Sequence, residues 1–310
     1  MNQTNLALKK LNGIKPKGVK VNSSSAFKQI FELGENIIEK LGFDFRYNLA
    51  KDTNLDMFCY KRFMDYLVDI NAHKINFTEN DLTTFIHARS TRDYSDVESG
   101  LMGLYSGWLL STLTRKNKKQ NKSTLFYIDG QGMKFDYLFY NANCIDWLIV
   151  DNFKGNHLCN MIGREKGSVN LAAIINCEST KSLGSFFCSN KGIANTFIIA
   201  NCNAEAICGS IANDGGVVDK TILLNCNANE VGACDFRSTK QINLSIECDI
   251  ERDYSVQGFL GKKSYADEFY IKNKSKQSFP QLDLYAKLLA KSNDEKRKLH
   301  IIKAMYKLRG

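Results

Sequence analysis

The sequence predicts a mainly β protein with α additions: a parallel β-helix, taken as right-handed, flanked by an N-terminal helical unit and a C-terminal basic helix. Three observations predict it. LAAIINCES from Leu171, TFIIANCNA from Thr196, TILLNCNAN from Thr221 and INLSIECDI from Ile242 align on sight as repeats of one unit. The segments between them, such as ESTKSLGSFFCSNKGIAN, lack the roughly 10 to 15 helical residues that a conventional parallel sheet needs for each crossover. On either side of the repeat the apolar residues fall three and four apart. With 310 residues and 44% apolar content the chain can bury a large core. The organisation expected is a basic flexible N-terminus (1–22), a helical unit (23–114), a basic linker (115–122), the β-helix (123–260) and a C-terminal segment with a basic helix (261–310).

Four helices account for the first unit. Phe27, Ile30, Phe31, Ile37, Ile38 and Leu41 share one side of the first, with Ser23, Ser24 and Ser25 as caps. Phe58, Phe63, Leu67 and Ile70 mark the second. Thr78 with Asp81, and Ser95 with Glu98, have capping-box spacing and open the third and fourth. The fourth contains the 14-residue run Gly100 to Leu113, too short for the roughly 20 residues that span a bilayer and therefore a buried helix. The RKNKKQNKS that follows is basic and unpatterned, which reads as a linker or exposed loop.

Within the repeat, Cys144, Cys177, Cys202, Cys226 and Cys248 serve as markers at intervals of 33, 25, 24 and 22 residues, DYLFYNANCI from Asp136 being the least regular copy. Stacked coils put equivalent residues over one another, so Ile, Leu and Val fill the interior and small Cys and Ala residues suit tight bends. Asn143, Asn176, Asn201 and Asn225 precede their cysteines, at corners where an Asn can bond to the next coil, and Glu247 replaces Asn in the last copy. A second strand per coil is expected around Cys159, Cys188, Cys208 and Cys234, with Gly184, Gly209 and Gly232 in tight turns. Beyond Tyr254 the repeat dissolves. Ser292 with Glu295 opens a helix to about Leu308, and the helices at both ends are expected to cap the solenoid.

Charge is distributed unevenly. Residues 1–20, 115–122 and 281–310 each carry +5 within a total of +9, which leaves −6 for the rest. Lysine-rich segments attached to a rigid body suit phosphate backbones. The residues expected to make phosphate contacts are Arg115, Lys116, Lys118, Lys119 and Lys122 of the linker, and Lys296, Arg297, Lys298, Lys303, Lys307 and Arg309 of the tail. The leading reading is a non-catalytic binding or scaffold protein with RNA or a ribonucleoprotein such as the ribosome as partner. A protein partner or homodimer is also open, with no membrane and no cofactor. Ten cysteines without an export signal imply a reducing compartment, hence the cytoplasm.

Two other classes are open. No Cys-x-x-Cys pair occurs, but thiols of neighbouring coils, or His157 with Cys159, could hold a metal or cluster. A sugar-acting β-helix needs clustered acids, for which Asp146, Asp151, Glu178, Glu205, Asp214, Glu230, Glu247 and Asp249 are the candidates, Glu205 and Glu230 standing at similar places in successive coils. The order of helical segment, cysteine-bearing β-helix and helical C-terminus resembles the scaffold subunits of the iron-sulfur cluster assembly machinery. That resemblance implies a cluster site built from Cys, Glu and His, and it assigns none of the residues here.

Overall fold

A computed structural model describes residues 25–49, 55–70, 72–231, 241–252, 266–272 and 280–308, with side chains for 26–43, 62–70, 72–229, 281–282 and 284–308. The basic N-terminus, Ser23, Ser24, Gly232, Cys234 and Arg309 lie outside these residues, as do the side chains of Phe58, Glu230, Glu247 and Asp249.

The helical unit is formed by α1 (Ser25–Leu49), α2 (Leu55–Asp69), a short 3-10 turn (Ala72–Lys74), α3 (Glu79–Arg89) and α4 (Asp96–Lys119). Thr78 and Ser95 make full capping boxes with Asp81 and Glu98, as their spacing predicts. α4 is buried on nearly every side from Val97 to Thr114. It continues through Arg115, Lys116, Lys118 and Lys119, so most of the expected linker is helix. Lys and Arg are good helix formers, and cations at a helix C-terminus meet the negative end of its dipole.

Among the described residues nine parallel strands build the solenoid: β1 (Leu125–Asp129), β2 (Cys144–Asp151), β3 (Ser168–Ile175), β4 (Ser182–Leu183), β5 (Ile193–Ala200), β6 (Asn203–Ile207), β7 (Val217–Val231), β8 (Gln241–Arg252) and β9 (Ala266–Lys272). Leu125, Trp147, Leu171, Thr196, Lys220, Leu244 and Glu268 stand over one another in β1, β2, β3, β5, β7, β8 and β9. The repeat therefore continues past Tyr254 into β9. β4, β6 and the end of β7 form a second, shorter face.

Register redefines the marker position. Asn152, Asn176, Asn201 and Asn225 all sit at the corner after the main strand with φ between 47° and 55°. This is the left-handed region, which Asn tolerates better than most side chains. The residues that follow them are Phe153, Cys177, Cys202 and Cys226, with the three thiols buried. Cys144 opens β2 opposite Ser168, and Cys248 pairs with Leu224, two places from the column. Neither belongs to the ladder. A shared Asn-Cys dipeptide and a chance two-residue offset gave both a false alignment.

In four successive coils the third side is an arc in which residues of positive φ alternate with residues of negative φ: Tyr137, Phe139, Asn141; His157, Cys159, Met161; Phe186, Cys188, Asn190; and Cys208, Ser210, Ala212, Asp214, all with φ between 50° and 61°. Cys159 and Cys188 thus lie on arcs and not on the second strand expected there; Cys208 begins one. Such backbone is costly for non-glycine residues. Cross-coil bonds offset it: Cys159 N–H donates to Leu138, Met161 to Ser185, Cys188 to Ile162 and Ala212 to Phe187.

The first arc has no coil beneath it, and α4 takes that place. Gly103 and Gly107 let the arc backbone lie on the helix, since a Cβ at either would overlap Tyr137 or the Tyr140 carbonyl. Ser106 Oγ accepts the Phe139 N–H at 2.9 Å and Ser111 Oγ accepts the Asn143 N–H at 3.0 Å, while each hydroxyl donates to its own helix. Helical side chains thus supply the acceptors that a preceding coil would have offered.

The C-terminal helices α5 (Pro280–Lys291) and α6 (Glu295–Tyr306) cover the outer face of the main sheet, instead of the open end that was expected. Ile149, Leu171, Ala173, Ile175, Ile198, Ala200, Ile222 and Leu224 point outward and pack against Leu282, Ala286, Leu289, Ile301, Ile302 and Met305. This is why the strands read as continuous apolar runs: both faces are buried. α6 is capped by Asp294, whose carboxylate accepts the Lys296 N–H, and Ser292 supports Asp294 in place of the expected box with Glu295.

Beneath these helices the corner asparagines form a ladder, Asn225 to Asn201 at 2.8 Å and Asn201 to Asn176 at 3.1 Å, ending on Asp151. Asp151 is fully buried and also accepts from Tyr127 Oη and the Lys298 ammonium. Burial first, and then the bond to Asp151, hold the Tyr127 phenol well above its usual pKa, so it stays a donor.

Two stability tests follow. Gly107→Ala forces a methyl into arc backbone and is expected to cost about 2 kcal/mol or more in urea unfolding. Gly100→Ala on the same helix meets nothing within 4 Å and should stabilise by about 0.5–1 kcal/mol through helix propensity. Lys298→Met strands a buried carboxylate and should cost about 3–5 kcal/mol, whereas Asp151→Asn combined with Lys298→Met should recover much of that loss.

Candidate functional site

The strands begin at one edge of the solenoid, and two groups of basic residues lie there. Arg115, one residue before the last turn of α4, donates to Asn143 Oδ1 at the foot of β2. Lys118, Lys119 and Lys122 follow, all exposed, with Lys116 half-buried. Above Asn143 the next two coils place Gly167 and Gly192 at the same corner, each preceded by an exposed lysine, Lys166 and Lys191, both with φ 63°. Successive coils are about 4.8 Å apart, so Arg115, Lys166 and Lys191 rise up the corner as a row of cations. The sequence carries this signal as two Lys-Gly pairs at matching repeat positions, but reading charge by segment hid it.

α6 brings a second group of cations to the same edge. Tyr306 Oη donates to Asn170 Oδ1 at 2.9 Å and accepts from Asn195 Nδ2 at 3.1 Å. Asn170 in turn donates to Asp146, whose other oxygen accepts the Thr124 N–H at 3.0 Å. A hydrogen-bonded seam of Thr124, Asp146, Asn170, Tyr306 and Asn195 therefore fastens the α4–β1 turn to the end of α6. Lys220 Nζ donates to the Tyr306 carbonyl at 2.8 Å and neutralises the helix terminus. Lys303 and Lys307, exposed on either side of Tyr306, complete the group.

The structure thus divides the residues expected to contact phosphate. Arg115, Lys116, Lys118, Lys119, Lys122, Lys303 and Lys307 share the strand-start edge. Lys296 and Arg297 are exposed at the far end of α6, and Lys298 is only 5% exposed, committed to Asp151. A buried lysine that anchors its helix is not offered to a partner.

Among the described residues, Asp146, Asp151, Glu178 and Glu205 do not converge. Asp146 is held in the seam and Asp151 lies under α6, at opposite ends of β2. Glu178 and Glu205 are on the second face, paired with Lys154 at 3.0 Å and Lys181 at 3.6 Å. Glu230 aligns with Ala206, so its backbone is one place out of register with Glu205.

The thiols are apolar fillers with weak hydrogen bonds. Cys177, Cys202 and Cys226 donate to the carbonyls two residues before them at 3.2 to 3.3 Å, and Cys177 N–H approaches Cys202 Sγ at 3.4 Å. Burial pushes the Cys202 thiol well up, and hydrogen bonds from its two neighbours add to the shift. His157 contacts Ser182 and stacks on Tyr137, while Cys159 is fully buried. Among the described residues no group of three or more His, Cys, Asp or Glu could hold a metal ion. Native alkylation at pH 8 followed by peptide mass mapping is expected to leave Cys177, Cys202 and Cys226 unlabelled until urea is added, with Cys144, the partly exposed one among the described cysteines, modified before them. No helix among the described residues is long and apolar enough to cross a membrane. Comparison with family models, curated proteins and solved structures returns no match, so the resemblance to iron-sulfur scaffold subunits gains no support from them.

Proposed function

We propose that this protein is a non-catalytic binding or scaffold protein whose rigid solenoid presents the strand-start edge to a polyanion, RNA or a ribonucleoprotein such as the ribosome, in the cytoplasm. The observation that carries this reading is the seam from Thr124 to Asn195, which locks the basic ends of α4 and α6 side by side. Cations on separate flexible segments must be ordered when they bind; cations on helices fastened to one solenoid edge are already arranged, which lowers that cost. The buried thiols of Cys177, Cys202 and Cys226, each hydrogen-bonded to a backbone carbonyl, fit a reducing compartment.

Binding to fragmented cellular RNA and to heparin, followed by fluorescence anisotropy, tests the reading. If four to six phosphates are neutralised, log K should fall with log salt at a slope of about −3 to −5. Reversing Lys118, Lys119, Lys303 and Lys307 to Glu should weaken both ligands at least tenfold, whereas Lys296→Glu with Arg297→Glu, at the other end of α6, should change binding by less than about threefold. Binding indifferent to salt, or equally sensitive to both sets, would overturn it.

A further inference from the structure

We propose that the basic edge contains a stacking platform, the Trp147–Tyr306 pair, and that the polyanion it takes is a single-stranded nucleic acid; this rests on the basic-edge reading and narrows it. Trp147 projects outward from β2 beside Leu125 of β1, which is itself 37% exposed, and its ring centroid is 4.9 Å from that of Tyr306. Both rings are half-buried, so each packs its inner side on the helix-covered sheet and leaves part of its surface to solvent. The Tyr306 ring cannot swing freely. Its hydroxyl is fixed by Asn170 and Asn195, and its carbonyl by Lys220, whose ammonium lies 5.9 Å from the ring centroid.

The surroundings supply phosphate contacts on both flanks. Lys122 precedes the strand that borders Trp147, and Lys303 and Lys307 bracket Tyr306. A fixed aromatic pair between two groups of exposed lysines is the combination that binds unpaired nucleotides: bases stack on the rings and the backbone follows the cations. Sulfated sugars and anionic headgroups have no aromatic face for these rings to meet. In a duplex the base faces are already stacked on each other, so the platform has nothing to receive.

The test compares fluorescein-labelled oligouridylate and oligothymidylate of about 15 nucleotides with an RNA duplex of the same length and with heparin, using the full chain. Trp147→Ala is expected to weaken oligouridylate binding about 5- to 100-fold, leave heparin within about twofold and keep the salt slope, while Trp147→Phe restores most of the loss. In the unmodified protein, oligouridylate should quench tryptophan fluorescence and heparin should not, and Trp147→Phe should remove that quenching. This readout does not depend on the stability of the alanine variant. Oligothymidylate bound within about tenfold of oligouridylate supports the platform, because stacking tolerates any base. Equal losses for heparin and oligouridylate, or tighter binding to the duplex, overturn it and leave Trp147 as a packing residue that positions α6. Heparin binding without oligouridylate binding sinks the platform alone; binding of neither sinks the basic edge with it.

Discussion

Every coil of this protein depends on the coil beneath it. Parallel strands leave a row of N–H and C=O groups pointing along the solenoid axis, and each row is satisfied only when another layer presents the matching groups about 4.8 Å away. Seven main strands in continuous register meet that demand for each other. The arcs obey the same constraint in an unusual backbone. A left-handed Cys159 or Ala212 persists because its N–H reaches the coil below. At the first coil, where no layer precedes, Ser106 and Ser111 stand in for it, and Gly103 and Gly107 bring the helix close enough for hydroxyls to reach. The helix thus closes the lower end of the arc, whose N–H groups would otherwise lack partners.

The same spacing explains how a helix can lie along the stack. Three residues of α-helix rise about 4.5 Å, close to the step between coils. Asn201 and Asn176, one coil apart, donate to the carbonyls of Ala286 and Leu289, three residues apart in α5. The asparagine ladder is therefore a rack that sets the position of α5, and Asp151 closes its lower end by pairing with Lys298 of α6. An apolar face alone would let the helices slide. A buried carboxylate with three fixed donors admits one position, which is a reason for a buried ion pair even where its net stabilisation is small.

Much of this was legible in the sequence, and the failures have physical causes. The repeat, the corner asparagines, the inward thiols and two capping boxes followed from local patterns that each residue's chemistry enforces. The arcs were not legible, because Phe186, Cys188 and Cys208 resemble strand residues and their left-handed φ values are imposed by neighbours a coil away. The position of α5 and α6 was written in the sequence but misread: uninterrupted LAAII and FIIA runs imply burial on both faces. Lys298 looks like a surface cation in the sequence because helix periodicity alone does not reveal the carboxylate of Asp151 beneath it. Lys166 and Lys191 vanished into a mildly acidic average, though one coil of separation stacks them.

That last failure bears on function. In a solenoid, charge summed along the chain says little, because the surface is assembled from residues a coil apart and from whichever helices are clamped to it. Asp146 illustrates the point: as a free carboxylate it would weaken the edge for an anion, yet here it is spent on Thr124 and Asn170, the bonds that hold the cationic ends together. Glu165 likewise lies 3.9 Å from Arg164 and so partly neutralises its own neighbour. The exposed cations that remain on this edge belong to three different parts of the chain, α4, the coil corners and α6, and they are brought to it by packing rather than by proximity in sequence. A partner that reads this edge therefore reads the folded register of the solenoid, and any change that slips a coil by one residue would scatter the site without altering a single residue in it.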